Sequence, residues 1–329
     1  MSAAARPDGH FVLCGIANDL RICFERPLPA RGHAAAAHPN RPEAVAFARR
    51  PGTFALVIDC VSGAEKAVLS APKGRHFYGH GAFSADGHLL FTTENDFEAG
   101  RGCIGVWDAQ NGYVRIDEWD SGGIGPHDIK RLPGTDIQAV ANGGIETHPD
   151  SGRVKLNIAT MAPNLTYVEH GTVIATAALP AAMHKNSIRH LAVDGTGQVA
   201  FGMQWQGDGS AEALVGVHQI GQSMRLMFAG KDAVHGMRGY IGSIAISSEG
   251  QTILVTSPKG GLLQEYDAQS GKLSKSAAIP DVCGVAVAGH AIAVSSGTGA
   301  LQRINRSRQS VVRQTRVQWD NHLVPIAQV

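Results

Sequence analysis

The stretch Gly79-His80-Gly81-Ala82-Phe83-Ser84-Ala85-Asp86-Gly87-His88-Leu89-Leu90 decides the fold, because its pattern returns as Gly242-Ser243-Ile244-Ala245-Ile246-Ser247-Ser248-Glu249-Gly250-Gln251-Thr252-Ile253. Each copy reads as a strand, a turn built on an acidic residue and glycine, and a second strand. A third strand follows in both, ending Trp107-Asp108 and Tyr266-Asp267. Matching turns come next, Ala109-Gln110-Asn111-Gly112 and Ala268-Gln269-Ser270-Gly271, before a fourth strand. A four-stranded unit that repeats is the signature of a β-propeller blade.

Working outward, the first strand of each unit begins at or just after Gly32-His33, Gly79-His80, Pro126-His127, Arg189-His190, Gly242-Ser243, Val282-Cys283 and Asn321-His322. The longest step, from His127 to His190, carries an insertion from Gly143 to Pro163 between the second and third strands of blade three. Seven starts predict an all-β, seven-bladed propeller occupying residues 1–329 as one domain. After His322 the segment Leu323 to Val329 has room for only one strand. The rest of blade seven comes from the N-terminus: a second strand in Met1 to Ala5, a third in Phe11 to Ala17 and a fourth in Leu20 to Glu25. Pairing the two ends of the chain removes the free sheet edge that an open array would expose. A chain that starts inside a strand implies an upstream segment.

Composition narrows the function. The formal net charge is +1 and charged residues make up 17%, so no basic excess points to nucleic acid. No run approaches the ~20 apolar residues that span a bilayer, so no membrane span is expected. The five cysteines include no C-x-x-C pair, which excludes a zinc ribbon or thioredoxin-type motif.

The seven aligned positions are His33, His80, His127, His190, Ser243, Cys283 and His322. Side chains at one register of equivalent strands point the same way, so these groups are expected to ring one mouth of the central channel. Five imidazoles and a thiol suit iron, copper or zinc. Three or four of them would ligate an ion, leaving the others to orient ligands or meet substrate. The competing reading is the structural histidine of WD-type blades, which usually stands farther from its turn aspartate than His80 stands from Asp86. Arg189 is expected to balance an anionic ligand, and Arg75, Arg101, Arg153 and Arg238 would do so if they share that face. Glu94 and Asp96 form a carboxylate pair that would bind a cation or act as acid and base, set against an ordinary hydrogen-bonded turn. Ser243 is a ligand candidate and a weak nucleophile candidate, since no G-x-S-x-G elbow surrounds it. His148, in the insertion, and His184 would extend the site, whereas His38, His170, His218, His235 and His290 read as surface or core residues.

Several ordered motifs carry a family resemblance. They include Arg31-Gly32-His33, Phe77-Tyr78-Gly79-His80-Gly81, Thr92-Thr93-Glu94-Asn95-Asp96, Gly123-Ile124-Gly125-Pro126-His127, Thr147-His148-Pro149-Asp150-Ser151-Gly152, Ser187-Ile188-Arg189-His190 and Trp319-Asp320-Asn321-His322. Across essentially the whole chain the sequence resembles the bacterial domain-of-unknown-function family fifteen-thirteen. The resemblance implies a propeller exported to the periplasm by a twin-arginine signal, absent from the chain as given. It also implies a gene neighbourhood shared with imelysin-type iron-uptake and di-haem oxidoreductase-like proteins, and no defined activity. Nitrous oxide reductase is similar in arrangement only, its propeller setting histidines of successive blades around copper.

The expected function is therefore a monomeric periplasmic propeller that binds a metal or metal complex and assists iron or copper acquisition. The rival readings are a hydrolase or oxidoreductase working in the propeller mouth, and a scaffold that docks other uptake proteins.

Overall fold

A computed structural model describes the chain except for residues 153, 248, 306–308, 321 and 327–329. Seven four-stranded antiparallel sheets form the blades, and in six of them the strands run from the axis outward in chain order. Blade one begins with Gly32–Ala37, blade two with Arg75–Phe83 and blade three with Pro126–Arg131. Blades four to six begin with Asn186–Val193, Ser243–Ile246 and Val282–Ala288. Blade seven takes its inner strand, Gln318–Asp320, from the C-terminal region and its other three, Ser2–Ala5, Phe11–Ile16 and Ile22–Pro27, from the N-terminal region. No helix among the described residues is long and apolar enough to cross a membrane.

The sequence explains the radial order. Inner strands crowd at the axis and use small residues, as in the buried Ala34-Ala35-Ala36 run of blade one. Second strands are sandwiched between neighbouring blades, so Glu43–Ala48 is buried at every position. Outer strands face water, and Ser310–Gln314 is exposed throughout. The apolar residues gather into seven clusters, one at each junction between adjacent blades. Each blade is thus a wedge held by apolar burial on both faces, and no blade completes its core alone.

One feature departs from the sequence reading. The inner strand of blade seven precedes His322 instead of following it, and residues 323–326 form no strand. Trp319 fixes this register: it is 2% exposed, packed among Ala4, Val12, Cys283, Leu301 and Val317. Its ladder partner is Ala4, flanked by the pairs Ala3↔Asp320 and Ala5↔Gln318. Beyond this ladder Met1 and Val324 exchange two backbone hydrogen bonds of 2.9 Å, so the C-terminal partner is two residues longer than its opposite between these pairs.

That extra length belongs to a pattern. The inner ladder is interrupted between Gly32 and Ala35, Phe77 and Gly81, Pro126 and Asp128, Ile188 and His190, and Val282 and Val285. With the Asp320-to-Val324 segment, six of seven inner strands carry extra residues at the histidine or cysteine register. Only the Ser243 strand pairs regularly. Bulges bend a strand and re-aim its side chains. This also explains why blades two and four start earlier than expected, at Arg75 and Asn186. Closure through Trp319 leads to a test: Trp319→Ala is expected to lower unfolding stability by about 3–5 kcal/mol, read as a lower urea midpoint, whereas truncating exposed Val311 should move it by less than about 0.5 kcal/mol.

Candidate metal centre

The bulges deliver five imidazoles to one place on the axis. His33, His127, His190 and His322 make a closed circuit with ring-centroid separations of 5.3, 4.8, 4.7 and 5.1 Å. His80 caps that circuit, 4.9, 5.1, 6.0 and 4.9 Å from the same four rings. Close approach of blade two depends on Gly79, whose φ is +102° and whose absent Cβ would sit 2.4 Å from the His33 ring. Two triads, His33–His80–His127 and His80–His190–His322, have ligating nitrogens within 4.8 Å of one another.

Hydrogen bonds orient the rings from behind. Asp128, 2% exposed, receives His80 Nδ1 at 3.0 Å. Its oxygens also accept from Lys130 Nζ and from the backbone amides of Ile129 and Leu191, at 2.8–2.9 Å. Burial alone would raise the Asp128 carboxyl, but His80 and Lys130 hold it well below 3.8, so it is a fixed anion. His127 Nδ1 meets the carbonyl of Arg189 at 2.9 Å, and His322 Nδ1 meets the hydroxyl of Ser243 at 3.2 Å. In each case the Nδ1 atom is engaged by the scaffold, the arrangement that aims Nε2 of a metal-binding histidine. His80 Nε2, His190 Nδ1 and His322 Nε2 are buried with no hydrogen-bond partner. Orphaned buried polar atoms are costly and call for an explanation, and here all three belong to a single triad.

The rings are also electrostatically suited to donate lone pairs. His127, His190 and His322 are held well below 6.5, first by burial and then by Arg189 for His127, His322 for His190 and His80 for His322. Neutral imidazole is the ligating form.

The five rings divide the channel. On one side lies a chamber of about 840 Å³ lined by His33, His127 and His190. On the other lies a cavity of about 350 Å³ lined by His80, His190, His322 and Asp128, with apolar walls that include Leu191, Ile244 and Val285. His190 faces both.

The remaining expected residues fall elsewhere or act differently. Cys283 lines the large chamber, but its thiol contacts the carbonyls of Trp319 and Asp281 at 3.2 and 3.4 Å, and burial pushes it up to about 12. It is a capped thiol, apart from both imidazole triads. Ser243 orients His322. Glu94 and Asp96 line neither cavity: Glu94 is paired with Arg115, and Asp96 with Arg75 and Arg101. Asp96, Cys103 and Glu118 do stand close enough to share an ion, yet Arg75, Arg101 and Arg115 already neutralise Glu118 and draw its carboxyl down to about 2 against burial. Arg75 and Arg101 are thereby removed from the site, Arg238 bonds the carbonyl of Lys259, and Arg153 lies outside the described residues. His148 caps a short 3-10 turn and His184 bonds the carbonyl of Ala181. Arg189 does line the large chamber.

Sequence reasoning missed Asp128, although it adjoins His127, because its partner is the histidine of the preceding blade. It also missed Arg50, Lys155 and Lys259, which line the large chamber. Their shared signal is position: each lies beyond a second strand, at Glu43–Ala48, Gln138–Asn142 and Thr252–Ser257.

A family model described as "Protein of unknown function (DUF1513)" matches residues 26–326. No curated protein matches the chain.

The buried neutral rings set a pH dependence. Their folded pKa values lie below the unfolded value near 6.5, so the unfolded chain binds more protons as pH falls through that value. The stability they contribute is complete above pH 6.5 and lost below it, at up to about 1.4 kcal/mol per pH unit for each ring. Chemical denaturation of metal-free protein between pH 8 and pH 5 should show that fall, with a shallower slope for His322→Gln. An unchanged slope in the variant would contradict the burial argument.

Proposed function

The chain belongs to the DUF1513 family, and from its axial site we propose that it binds one transition-metal ion in the imidazole cluster. Two observations carry this reading: His80, His190 and His322 each bring a ring nitrogen within 4.8 Å of the others, and His80 Nε2, His190 Nδ1 and His322 Nε2 are buried with no hydrogen-bond partner. A metal ion would satisfy all three at once. His33 and His127 stand on the side of the large chamber, where they are placed to complete coordination or to receive the ion on entry. An all-nitrogen set favours copper, zinc or iron over magnesium or calcium, which prefer oxygen. Cys283, as a capped thiol, is left out of the ligand set. In this reading the protein is a periplasmic accessory to iron or copper acquisition, the setting that its sequence resemblance implies.

The support around the rings makes the reading specific. A purely structural histidine needs one satisfied nitrogen and good packing. Asp128 goes further, spending a buried charge to fix one ring, and Ser243 fixes a second. Such outer partners tune metal sites and are worth roughly 10–100-fold in affinity.

Protein purified without an affinity tag is expected to contain, or to take up from Fe²⁺, Cu²⁺ or Zn²⁺, close to one metal ion per chain by elemental analysis. His80→Ala should abolish stoichiometric binding, and Ser243→Ala should weaken it about ten-fold or more. Failure of all three ions to bind to folded wild-type protein would overturn the proposal.

A further inference from the structure

Beyond the imidazoles, the large chamber has a charge that a bare cation would not welcome. Six cationic side chains line it, Arg31, Arg49, Arg50, Lys155, Arg189 and Lys259, against two carboxylates, Asp281 and Asp320. The whole chain carries a formal charge of only +1, so positive charge is concentrated here. Asp320 is committed to Arg31 and lies 4.0 Å from Arg49. Lys155 Nζ donates to Gln206 Oε1, and Lys259 Nζ lies 4.7 Å from the centre of the Tyr240 ring, partners that carry no negative charge. Arg189 is the extra residue of its bulge: its carbonyl holds His127 while its side chain enters the chamber. Its Nε is buried without a hydrogen-bond partner. Burial and Arg50 lower the Arg189 guanidinium to about 10, and burial with Arg189, Lys259 and Arg50 lowers the Lys155 ammonium. Cations gathered this closely repel one another, and an anion among them relieves that repulsion.

Resting on the metal reading above, we infer that this chamber binds a multiply charged oxyanion, foremost a small di- or tricarboxylate, lying over the imidazole cluster as a co-ligand of its metal. Three features point to that class. The volume of about 840 Å³ suits a small molecule more than a single ion. Guanidinium groups pair with carboxylate and phosphate oxygens in bidentate geometry. The cations rise from several elements around the chamber, so one ligand must carry several negative groups to meet them. His127 and His190 line the same chamber, which brings an oxygen of that ligand next to the imidazole nitrogens. A dication entering alone is repelled by the mouth, whereas the same ion carried by a polycarboxylate arrives with its charge covered. The substrate class of the site is therefore an anionic metal chelate.

The test uses full-length protein and four titrants in calorimetry: Cu²⁺ alone, citrate alone, phosphate alone and preformed Cu²⁺–citrate. Wild type should bind Cu²⁺–citrate with an affinity that falls steeply with added salt. The double substitution Lys155→Gln/Lys259→Gln, and separately Arg189→Gln, should weaken Cu²⁺–citrate by about ten-fold or more while tightening Cu²⁺ alone, because repulsion of the bare cation is relieved. Opposite signs for the two titrants are the signature, and a mere folding defect would weaken both. Equal weakening of both overturns the inference. So does wild-type protein that takes up Cu²⁺ but binds neither citrate nor phosphate, an outcome that leaves the metal site standing. Citrate binding without any Cu²⁺ uptake has the reverse meaning: it upholds the anion chamber and removes the metal. Phosphate binding more tightly than citrate would overturn the choice of a carboxylate as the oxyanion.

Discussion

Everything at the axis depends on ring closure by the antiparallel pairing of Ser2–Ala5 with Gln318–Asp320. A propeller blade buries both faces against its neighbours, so an open ring would leave two apolar faces in water. Trp319 meets that requirement by filling the junction between blades six and seven and donating its indole N–H to the carbonyl of Gly299 at 3.2 Å. Closure has a chemical consequence as well. His322 lies two positions beyond the last residue of the closing strand, and one of the three partnerless nitrogens is its Nε2. The last interaction needed to complete the fold thus delivers the last ring of the triad.

The architecture was open to sequence reasoning because it rests on short-range patterns: alternation, turn chemistry and a recurring aromatic-Asp strand end. The site was legible only where it follows the repeat. His33, His80, His127, His190 and His322 share a phase, and the fold brings all five together. Cys283 shares the phase and lines the chamber, yet its thiol turns to backbone carbonyls. Phase specifies where a Cα sits, whereas the local bulge specifies where its side chain goes. The bulges differ from blade to blade, with one residue in excess around His127 and two around His80. Their shape depends on pairing with the second strand, which a single-strand pattern does not encode. Asp128 shows the same limit, since its role arises from contact with blade two and nothing in Pro126-His127-Asp128 names His80 as its partner. Glu94 and Asp96 were singled out as a carboxylate pair, and each is occupied by an arginine that sequence spacing does not connect to it.

The two halves of the site are electrostatically distinct. Around the imidazoles, burial favours the neutral form of His127, His190 and His322, and the Asp128 carboxylate is set behind His80. Above them, Arg50, Lys155 and Lys259, on loops that follow second strands, and Arg189, on the bulged inner strand of blade four, form a cationic rim. A propeller brings those loops to the mouth where the inner strands begin, so one end of the molecule collects both the bulged register and the insertion-borne Lys155. Arg189 joins the two layers covalently. Its backbone fixes the tautomer of His127 and its side chain supplies charge to the chamber, so displacement of one is felt by the other.

Blade five supplies the most informative exception. Its inner strand pairs regularly, and the residue at the shared register is Ser243, not histidine. At that register His322 Nδ1 meets the small Ser243 hydroxyl at 3.2 Å. The regular strand keeps Ser243 from reaching inward, and its short side chain is long enough only to steady its neighbour. A sevenfold ring of nitrogen, oxygen and sulfur ligands is more than a four-coordinate zinc site accepts. The exceptions at Ser243 and Cys283 reduce seven equivalent positions to five imidazoles, and hydrogen bonds with the Asp128 carboxylate and the Ser243 hydroxyl set the direction of two rings of the buried triad. Repetition supplies the convergence, and departure from repetition supplies the number and aim of the groups that meet there.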